Sequence, residues 1–172
     1  MHSSRKQRIT AAVLACLLLS ACGFHVRTER SGAANIQVDR IYVGDERADN
    51  LADEVRSQLK DASVTVTDSA DNAQFVILLA KESFRRDVLS VSPKTGKVEE
   101  YQVTLSAKLT LKEVGGKTLL DNDPVSQVRD FIYDQNAALG KFSEEETLRD
   151  ELTRDAADQV LRRVSAVLAT PR

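Results

Sequence analysis

One cysteine near the start of the chain lies where its thiol could be chemically modified. Cys22 directly follows Leu19-Ser20-Ala21, and the apolar stretch Ile9–Leu19 precedes it behind three basic residues. That stretch is shorter than the roughly 20 apolar residues that a helix needs to cross a ~30 Å hydrocarbon core. A positive start, a short apolar middle and a small-residue end are typical of a secretory signal peptide. The sequence therefore predicts that residues 1–21 are removed on export.

The residues around Cys22 favour lipid attachment over simple cleavage. Leu19-Ser20-Ala21-Cys22 resembles the bacterial lipobox, which implies a diacylglycerol on the thiol and an acyl chain on the new amine. One chain binds a bilayer only reversibly, at ~0.8 kcal/mol per buried CH₂, so three chains would bind far more durably. Gly23 replaces the aspartate that, by resemblance to other bacterial lipoproteins, favours inner-membrane retention. We expect an outer-membrane, periplasm-facing lipoprotein with residues 22–35 as its tether; an ordinary signal peptide is the alternative.

The mature chain offers little catalytic chemistry. His25 would be its only histidine, and Cys16 would leave with the signal, so a catalytic triad, a zinc cluster and a disulfide are not expected. Glu99-Glu100 and Glu144-Glu145-Glu146 are adjacent carboxylates of the kind that usually lie on a solvated surface. The sequence predicts no enzymatic activity, no metal and no cofactor apart from the lipid on Cys22.

The charge of the chain also limits its partners. Removing residues 1–21 takes away three of the 24 basic residues and none of the 26 acidic ones, so the mature chain is mildly acidic. Such a chain lacks the basic surface that nucleic acid requires. Residues 36–172 have the length of a single domain.

Two stretches have the periodicity of amphipathic helices. Leu51, Val55 and Leu59 repeat at i, i+4 and i+8 behind a possible N-cap at Asp49-Asn50. Near the C-terminus, Ser143 and Glu146 form a capping box, and an apolar stripe follows them as far as Leu168.

The remaining apolar stretches have strand patterns. The clearest runs from Tyr101 to Lys112, where apolar and polar residues alternate without exception, as in a strand with one buried face. The other predicted strands are Ile36–Val43 with a bulge at Asp39-Arg40, an edge strand around Val64 and Val66, Phe75–Val91 bent between Lys81 and Arg86, and Val125–Tyr133. Turns are predicted at Ser92–Lys97 and at Gly115-Gly116.

These elements predict an α+β fold. The three long strands would form an antiparallel meander, and both helices would cover the apolar face of the sheet. The expected architecture is a two-layer sandwich, with two helices on one face of a mostly antiparallel four- to five-stranded sheet.

Three segments carry a family resemblance. Cys22-Gly23-Phe24-His25-Val26-Arg27, Glu100-Tyr101-Gln102-Val103, and the series Arg129, Phe131, Asn136, Ala138 and Leu139 resemble, in order and spacing, the lipopolysaccharide-assembly lipoproteins of the LptE type. The similarity covers essentially the whole mature chain. It implies a non-enzymatic protein inside the lumen of an LptD-type outer-membrane β-barrel. The resemblance further implies that the two proteins together insert lipopolysaccharide into the outer leaflet. A polar strand face is compatible with the polar lumen of a large barrel.

The resemblance also implies a ligand, lipopolysaccharide, whose phosphates call for Lys or Arg. Two groups of basic residues are candidates: Arg85, Arg86, Lys94 and Lys97 around the hairpin tip, and Lys141 before the last helix, which would match a basic position in the family. Lysine binds phosphate as a point charge, without the bidentate geometry of arginine.

Two other functions stay open. A different periplasm-facing lipoprotein adaptor, for example in barrel assembly, could share the anchor and the fold and would differ in its partner. An anchored hydrolase would need a carboxylate or Ser-Lys site in a cleft, and no spacing in the chain supports one.

Overall fold

A five-stranded sheet with two helices on one of its faces makes up the fold. The computed structural model describes residues 32–132 and 141–170. The strands lie in the order β2-β1-β3-β4-β5. The elements are β1 (Arg40–Glu46), α1 (Asp49–Asp61), β2 (Thr65–Thr67), β3 (Phe75–Val91), β4 (Val98–Glu113), β5 (Thr118–Ile132) and α2 (Lys141–Leu168), with short 3-10 turns at Gly32–Asn35 and Ala70–Asn72. The predicted two-layer α+β architecture is confirmed.

The sheet is mixed. The strands β3, β4 and β5 form the predicted antiparallel meander. The strand β1 pairs in parallel with both β2 and β3. Parallel neighbours need a crossover connection, and α1 supplies it between β1 and β2. The strand β2 is the short edge strand that the sequence predicts.

The core lies between the sheet and the helices. On β4, alternate residues from Val103 to Leu111 are buried, while those between them are half-exposed. The helices bury their predicted stripes against this face, with Leu59 on α1 and Leu161 on α2 fully excluded from water. Each buried leucine contributes roughly 1.5–3 kcal/mol, so this one face supplies most of the apolar stabilisation.

A bulge in β3 joins the sheet to the start of α1. The pairing of β3 with β4 shifts between Ala80 and Ser83, and Lys81 has a φ of 57°. Within the bulge, the Glu82 backbone N–H donates to the Arg47 carbonyl at 2.9 Å. The Glu82 carboxylate accepts a hydrogen bond from the Leu51 backbone N–H at 3.1 Å. The bulge therefore aims a carboxylate at the first turn of α1, where helix N–H groups lack partners.

The predicted N-cap of α1, Asp49-Asn50, is wrong. Ala48 occupies the N-cap position, and no side chain of the helix itself caps it. Asp49 and Asn50 lie inside the first turn, and the Asn50 amide instead donates to Glu82 at 3.5 Å. Glu82, 31 residues from Leu51 in the sequence, supplies the cap, which local spacing does not reveal.

The N-terminal boundaries also differ from the prediction. The strand β1 begins at Arg40 rather than Ile36, and its described pairings carry no bulge. Residues Gly32–Asn35, predicted as the end of the tether, form a 3-10 turn in which Ala33 is buried. A Cβ on Gly32 would collide with the backbone N of Arg162 and lie 2.9 Å from the Asp158 carbonyl oxygen of α2. The packed part of the chain therefore begins by Gly32, and the earlier residues of the predicted tether lie outside the described ranges.

Two further boundaries move at the C-terminal side. The strand β5 begins at Thr118, seven residues before the predicted start at Val125, and its predicted end at Tyr133 lies outside the described residues. A positive φ of 51° at Asn122, beside a register shift, breaks the alternation that would have revealed the earlier start. The helix α2 begins at Lys141, so Ser143 lies inside it rather than at its N-cap. Among the described residues, neither helix combines the length and the apolar character needed to cross a lipid bilayer.

The cap from β3 gives a stability prediction. Replacing Glu82 with alanine should lower the free energy of unfolding by about 1 kcal/mol, since the first turn of α1 loses its acceptor. Glu99→Ala, on the exposed end of β4, removes the same charge without touching a helix and is the matched control. Urea denaturation followed by circular dichroism measures both variants, and equal midpoints would contradict the capping role.

Candidate functional site

The β3–β4 hairpin extends past the end of the parallel part of the sheet. The last pairing of β1 is Glu46 with Ala80, whereas β3 continues to Val91. The turn is closed by two backbone bonds, from Ser92 N–H to the Lys97 carbonyl at 2.7 Å and from Gly96 N–H to the Ser92 carbonyl at 2.8 Å. Gly96 has a φ of 68°, which glycine adopts without steric cost. The predicted turn at Ser92–Lys97 is confirmed.

This hairpin tip, residues 92–97, carries two free cations. The side chains of Lys94 and Lys97 are exposed to water. In the described part of the chain, no carboxylate lies within ion-pair distance of either one. The two ammonium groups can therefore meet an anionic ligand without first breaking an internal pair.

Arg85 and Arg86, predicted as part of the same basic group, point to opposite faces. Successive side chains of a strand alternate between faces. Arg86 pairs in register with the buried Val103, on the face that the helices cover, and Arg85 pairs with Thr104 on the other. The structure therefore does not bring the predicted cations together as one site.

Arg86 joins α2 to the hairpin by an ion pair. Its guanidinium lies 2.9 Å from the Glu145 carboxylate and 4.9 Å from the ring centroid of Tyr101. The Tyr101 ring stacks on Phe131 of β5, with centroids 5.5 Å apart. One helical turn further on, the Arg149 guanidinium lies 4.4 Å from the centroid of Phe84. The contacts of Arg86 with Glu145 and of Arg149 with Phe84 hold the N-terminal part of α2 against the hairpin.

Arg85, by contrast, makes only a local contact. Its guanidinium lies 2.8 Å from the Asp87 carboxylate, and both side chains are largely exposed. Exposed ion pairs of this kind contribute little, typically ~0–1 kcal/mol. Arg85 is therefore available to a ligand in a way that Arg86 is not.

The remaining predicted residues lie at the edge of the described ranges or outside them. Lys141 is the first residue of α2, and its side chain is outside the described set. Asp155 of α2 meets Arg129, and Arg163 meets Asp123, so the helix runs antiparallel to β5. The start of α2 therefore lies on the side of the hairpin tip. Cys22, Phe24 and His25 are outside the described residues.

The second group of ionisable residues binds α1 to β1. Arg56 donates to the Val43 carbonyl at 2.9 Å, to the Asp45 carboxylate at 2.9 Å and to Asp53 at 2.6 Å. Hydrogen bonding from Arg56 lowers the pKa of Asp45, and contact with Asp45 raises the pKa of its neighbour Asp49. Asp49 is exposed, and Arg56 is occupied in joining two elements, so this group serves packing rather than acid–base chemistry.

One carboxylate from each acidic run noted in the sequence, and Asp155 of α2, make structural contacts. Glu100 accepts a hydrogen bond from the Ser90 hydroxyl at 3.0 Å across the hairpin. Glu145 pairs with Arg86, and Asp155 both pairs with Arg129 and, through its hydrogen bond, raises the pKa of that arginine. Sequence reasoning missed these links because each joins residues 10 to 59 positions apart.

The domain is a two-layer α+β sandwich in which four of the six described ion pairs join a helix to the sheet, while the exposed lysines of the hairpin tip belong to none of them. The comparisons with known proteins give the family. The model of the LptE family, described as lipopolysaccharide-assembly, matches residues 38–164. The chain belongs to the LptE family.

Two relatives agree with this assignment. The chain is 30% identical over 157 residues to the LPS-assembly lipoprotein LptE of Pectobacterium atrosepticum, and the match covers 90% of this chain and 82% of that protein. It is 29% identical over 154 residues to the LPS-assembly lipoprotein LptE of Photorhabdus laumondii, with the same coverage. As a member of this family the protein has a role in lipopolysaccharide assembly and is not an enzyme, which removes the hydrolase alternative.

Solved structures show the same fold. A crystal structure of the rare lipoprotein B from Shewanella oneidensis superposes with a TM-score of 0.65 at 26% identity, over 74% of this chain and 95% of that one. A solution structure of a lipoprotein B from Nitrosomonas europaea gives a TM-score of 0.69 at 21% identity, over 84% of this chain and 91% of that one.

The opposite faces of Arg85 and Arg86 give a matched test. Arg86→Ala should lower the free energy of unfolding by about 1 kcal/mol, because the ion pair with Glu145 of α2 and the cation–π contact with Tyr101 of β4 are lost together. Arg85→Ala should change it by less than about 0.5 kcal/mol, as surface substitutions usually do. Thermal and urea denaturation of both variants measures the difference, and equal stability of the two would contradict the packing role of Arg86.

Proposed function

We propose that this LptE-family protein is anchored in the outer membrane through lipid on Cys22, faces the periplasm, and plugs the lumen of an LptD-type β-barrel. Its role in lipopolysaccharide assembly follows from the family. The barrel partner, the outer-membrane location and direct contact with lipopolysaccharide are the proposed details.

The anchor rests on the sequence around Cys22. The short apolar stretch, the small residues before the cysteine and the glycine after it favour a triacylated, outer-membrane protein. An intact mass of the mature chain should equal that of residues 22–172 plus three acyl chains and a glycerol. A mass that begins at another residue, or that lacks lipid, would reject the anchor.

The plug is supported above all by the uncovered face of the sheet. On β4, the side chains from Gln102 to Lys112 that point away from the helices are all polar, at Gln102, Thr104, Ser106, Lys108, Thr110 and Lys112. Both described helices pack on the opposite face, and no described element covers this one. A polar, broad and regular surface suits the polar lumen of a large barrel.

The hairpin tip is the proposed contact for lipopolysaccharide. Lys94 and Lys97 are exposed and lack described ion-pair partners, and the start of α2 brings Lys141 to the same end of the domain. Val88, Leu89 and Val91 next to the tip are about half exposed, so apolar surface lies beside the cations. Cations beside apolar side chains match a phosphorylated, acylated ligand. Arg85 can add a further contact, whereas Arg86 acts through the packing of α2.

The plug is tested by affinity purification of the tagged full-length protein from outer membranes in mild detergent. We expect one large β-barrel of the LptD type in equal molar amount, identified by mass spectrometry. Recovery of the protein alone would reject the plug. Recovery with the components of barrel assembly would favour the other adaptor function.

The ligand contact predicts an effect of charge reversal. Changing Lys94, Lys97 and Lys141 together to Glu should weaken lipopolysaccharide binding by at least about tenfold, because three attractive contacts with phosphate become repulsive. The control changes Lys60, Lys117 and Arg154 to Glu, which alters the net charge equally at exposed positions away from the tip. Binding of both variants to purified lipopolysaccharide is measured, with circular dichroism as the check on folding. Equal binding by the two variants would reject the assignment.

A further inference from the structure

A second surface, distinct from the hairpin tip, lies on the helix-free face where β1 and β3 pair. Tyr42, Val76, Leu78 and Ala80 all point to this face, because the registers are Tyr42 with Val76, Gly44 with Leu78, and Glu46 with Ala80. A Cβ on Gly44 would lie 2.9 Å from Leu78 Cδ2 and 3.0 Å from Tyr42 Cε1. The two side chains therefore close over the glycine and form a shallow apolar patch, the back-face saddle.

The saddle is apolar surface without a described cover. Tyr42, Val76, Leu78 and Ala80 are each only half-buried, whereas Ile77 and Leu79 between them are fully buried under the helices. Half-buried apolar side chains that lie together on a strand face mark an interaction surface more often than isolated ones do.

Cations border the saddle. Lys108 pairs in register with Ala80, and Lys112 pairs with Val76, so both project from β4 beside it. Arg40 lies on the same face at the start of β1. In the described part of the chain, none of the three has a carboxylate within ion-pair distance. Glu46 is the acidic residue of β1 on this face, so the border is positive on balance.

The other side of the domain has the opposite charge. Acidic residues outnumber basic ones on both helices, among the described side chains of α2 by six to four. The helical layer is therefore acidic, whereas the border of the saddle is positive. Other acidic side chains of the helix-free face, Asp87, Glu100 and Asp130, lie towards the hairpin tip.

We infer that the barrel partner binds at the back-face saddle. The partner would contact it through a patch of its own in which apolar side chains are flanked by carboxylates. This inference rests on the proposed plug function and names the face of the plug that the barrel contacts. Lys108 and Lys112 are four residues apart on one strand face, about 13 Å, so they match two separate carboxylates rather than one phosphate group. Tyrosine is also enriched at protein interfaces.

The saddle is not part of the proposed lipopolysaccharide contact. Lys97 and Lys108 are eleven residues apart along the hairpin, or about 36 Å. One ligand headgroup cannot reach both sites, so the two surfaces can be altered separately.

The test reverses the border charges in the tagged, full-length protein. Lys108→Glu with Lys112→Glu should reduce the barrel recovered from outer membranes by about tenfold or more, since complementary charges become repulsive. The control, Lys60→Glu with Arg154→Glu, makes the same change of net charge on the helical layer and should recover the barrel as the unaltered protein does. Circular dichroism and the thermal midpoint check that both variants are folded.

A second measurement leaves these charges intact. A photo-crosslinking residue at Ala80, in the saddle, should crosslink to the barrel in cells, and one at Ser57, exposed on α1, should do so at least fivefold less. Crosslinking at Ala80 to lipopolysaccharide or to a second copy of the chain would overturn the inference, as would undiminished barrel recovery by the Lys108 and Lys112 variant. If the unaltered protein recovers no barrel, the plug function itself fails, which is a different result from a docking face placed wrongly.

Discussion

The structure depends on the alternation of β4, which gives this central strand one apolar side and one polar side. Each buried leucine on the apolar face contributes roughly 1.5–3 kcal/mol only if something excludes water from it. The two helices exclude water from this side. Their apolar stripes, which include Leu59 and Leu161, pack against the buried residues of β4. Because both described helices cover that side, no described element covers the other face of the sheet. The alternation of this single strand therefore separates a face that packs in the core from a face that is open to solvent or to a partner.

The sequence predicts the parts of the fold in which periodicity is regular. Leu51, Val55 and Leu59 at helical spacing, and the alternation from Tyr101 to Leu111, are enough to place α1 and β4 on opposite sides of one core. The predictions fail where the backbone leaves its regular period. The bulge at Lys81 supplies the cap of α1 from a distant carboxylate, and the irregular backbone at Asn122 hides the first seven of the 15 residues of β5. Neither event leaves a local sequence signal.

The candidate site shows the same limit. The sequence identifies Lys94 and Lys97 as turn cations, and the structure leaves both open to solvent. It cannot distinguish Arg85 from Arg86, because their difference comes from strand register and from a glutamate 59 residues beyond Arg86. The back-face saddle is invisible for a related reason, since it combines β1, β3 and β4 through pairings of both parallel and antiparallel kind. Chemical type can be predicted from residues, whereas the grouping of residues depends on tertiary pairing.

The family shows a role in lipopolysaccharide assembly. We propose that the domain performs it inside a barrel, with the helix-free face of the sheet towards the wall. An electron cryo-microscopy map of the full-length protein, purified with its partners from outer membranes in mild detergent, tests this most directly. We expect density for the domain within the lumen of one large barrel, with β1, β3 and β4 facing the wall. A domain outside the barrel, or one whose helices alone touch the wall, would contradict it.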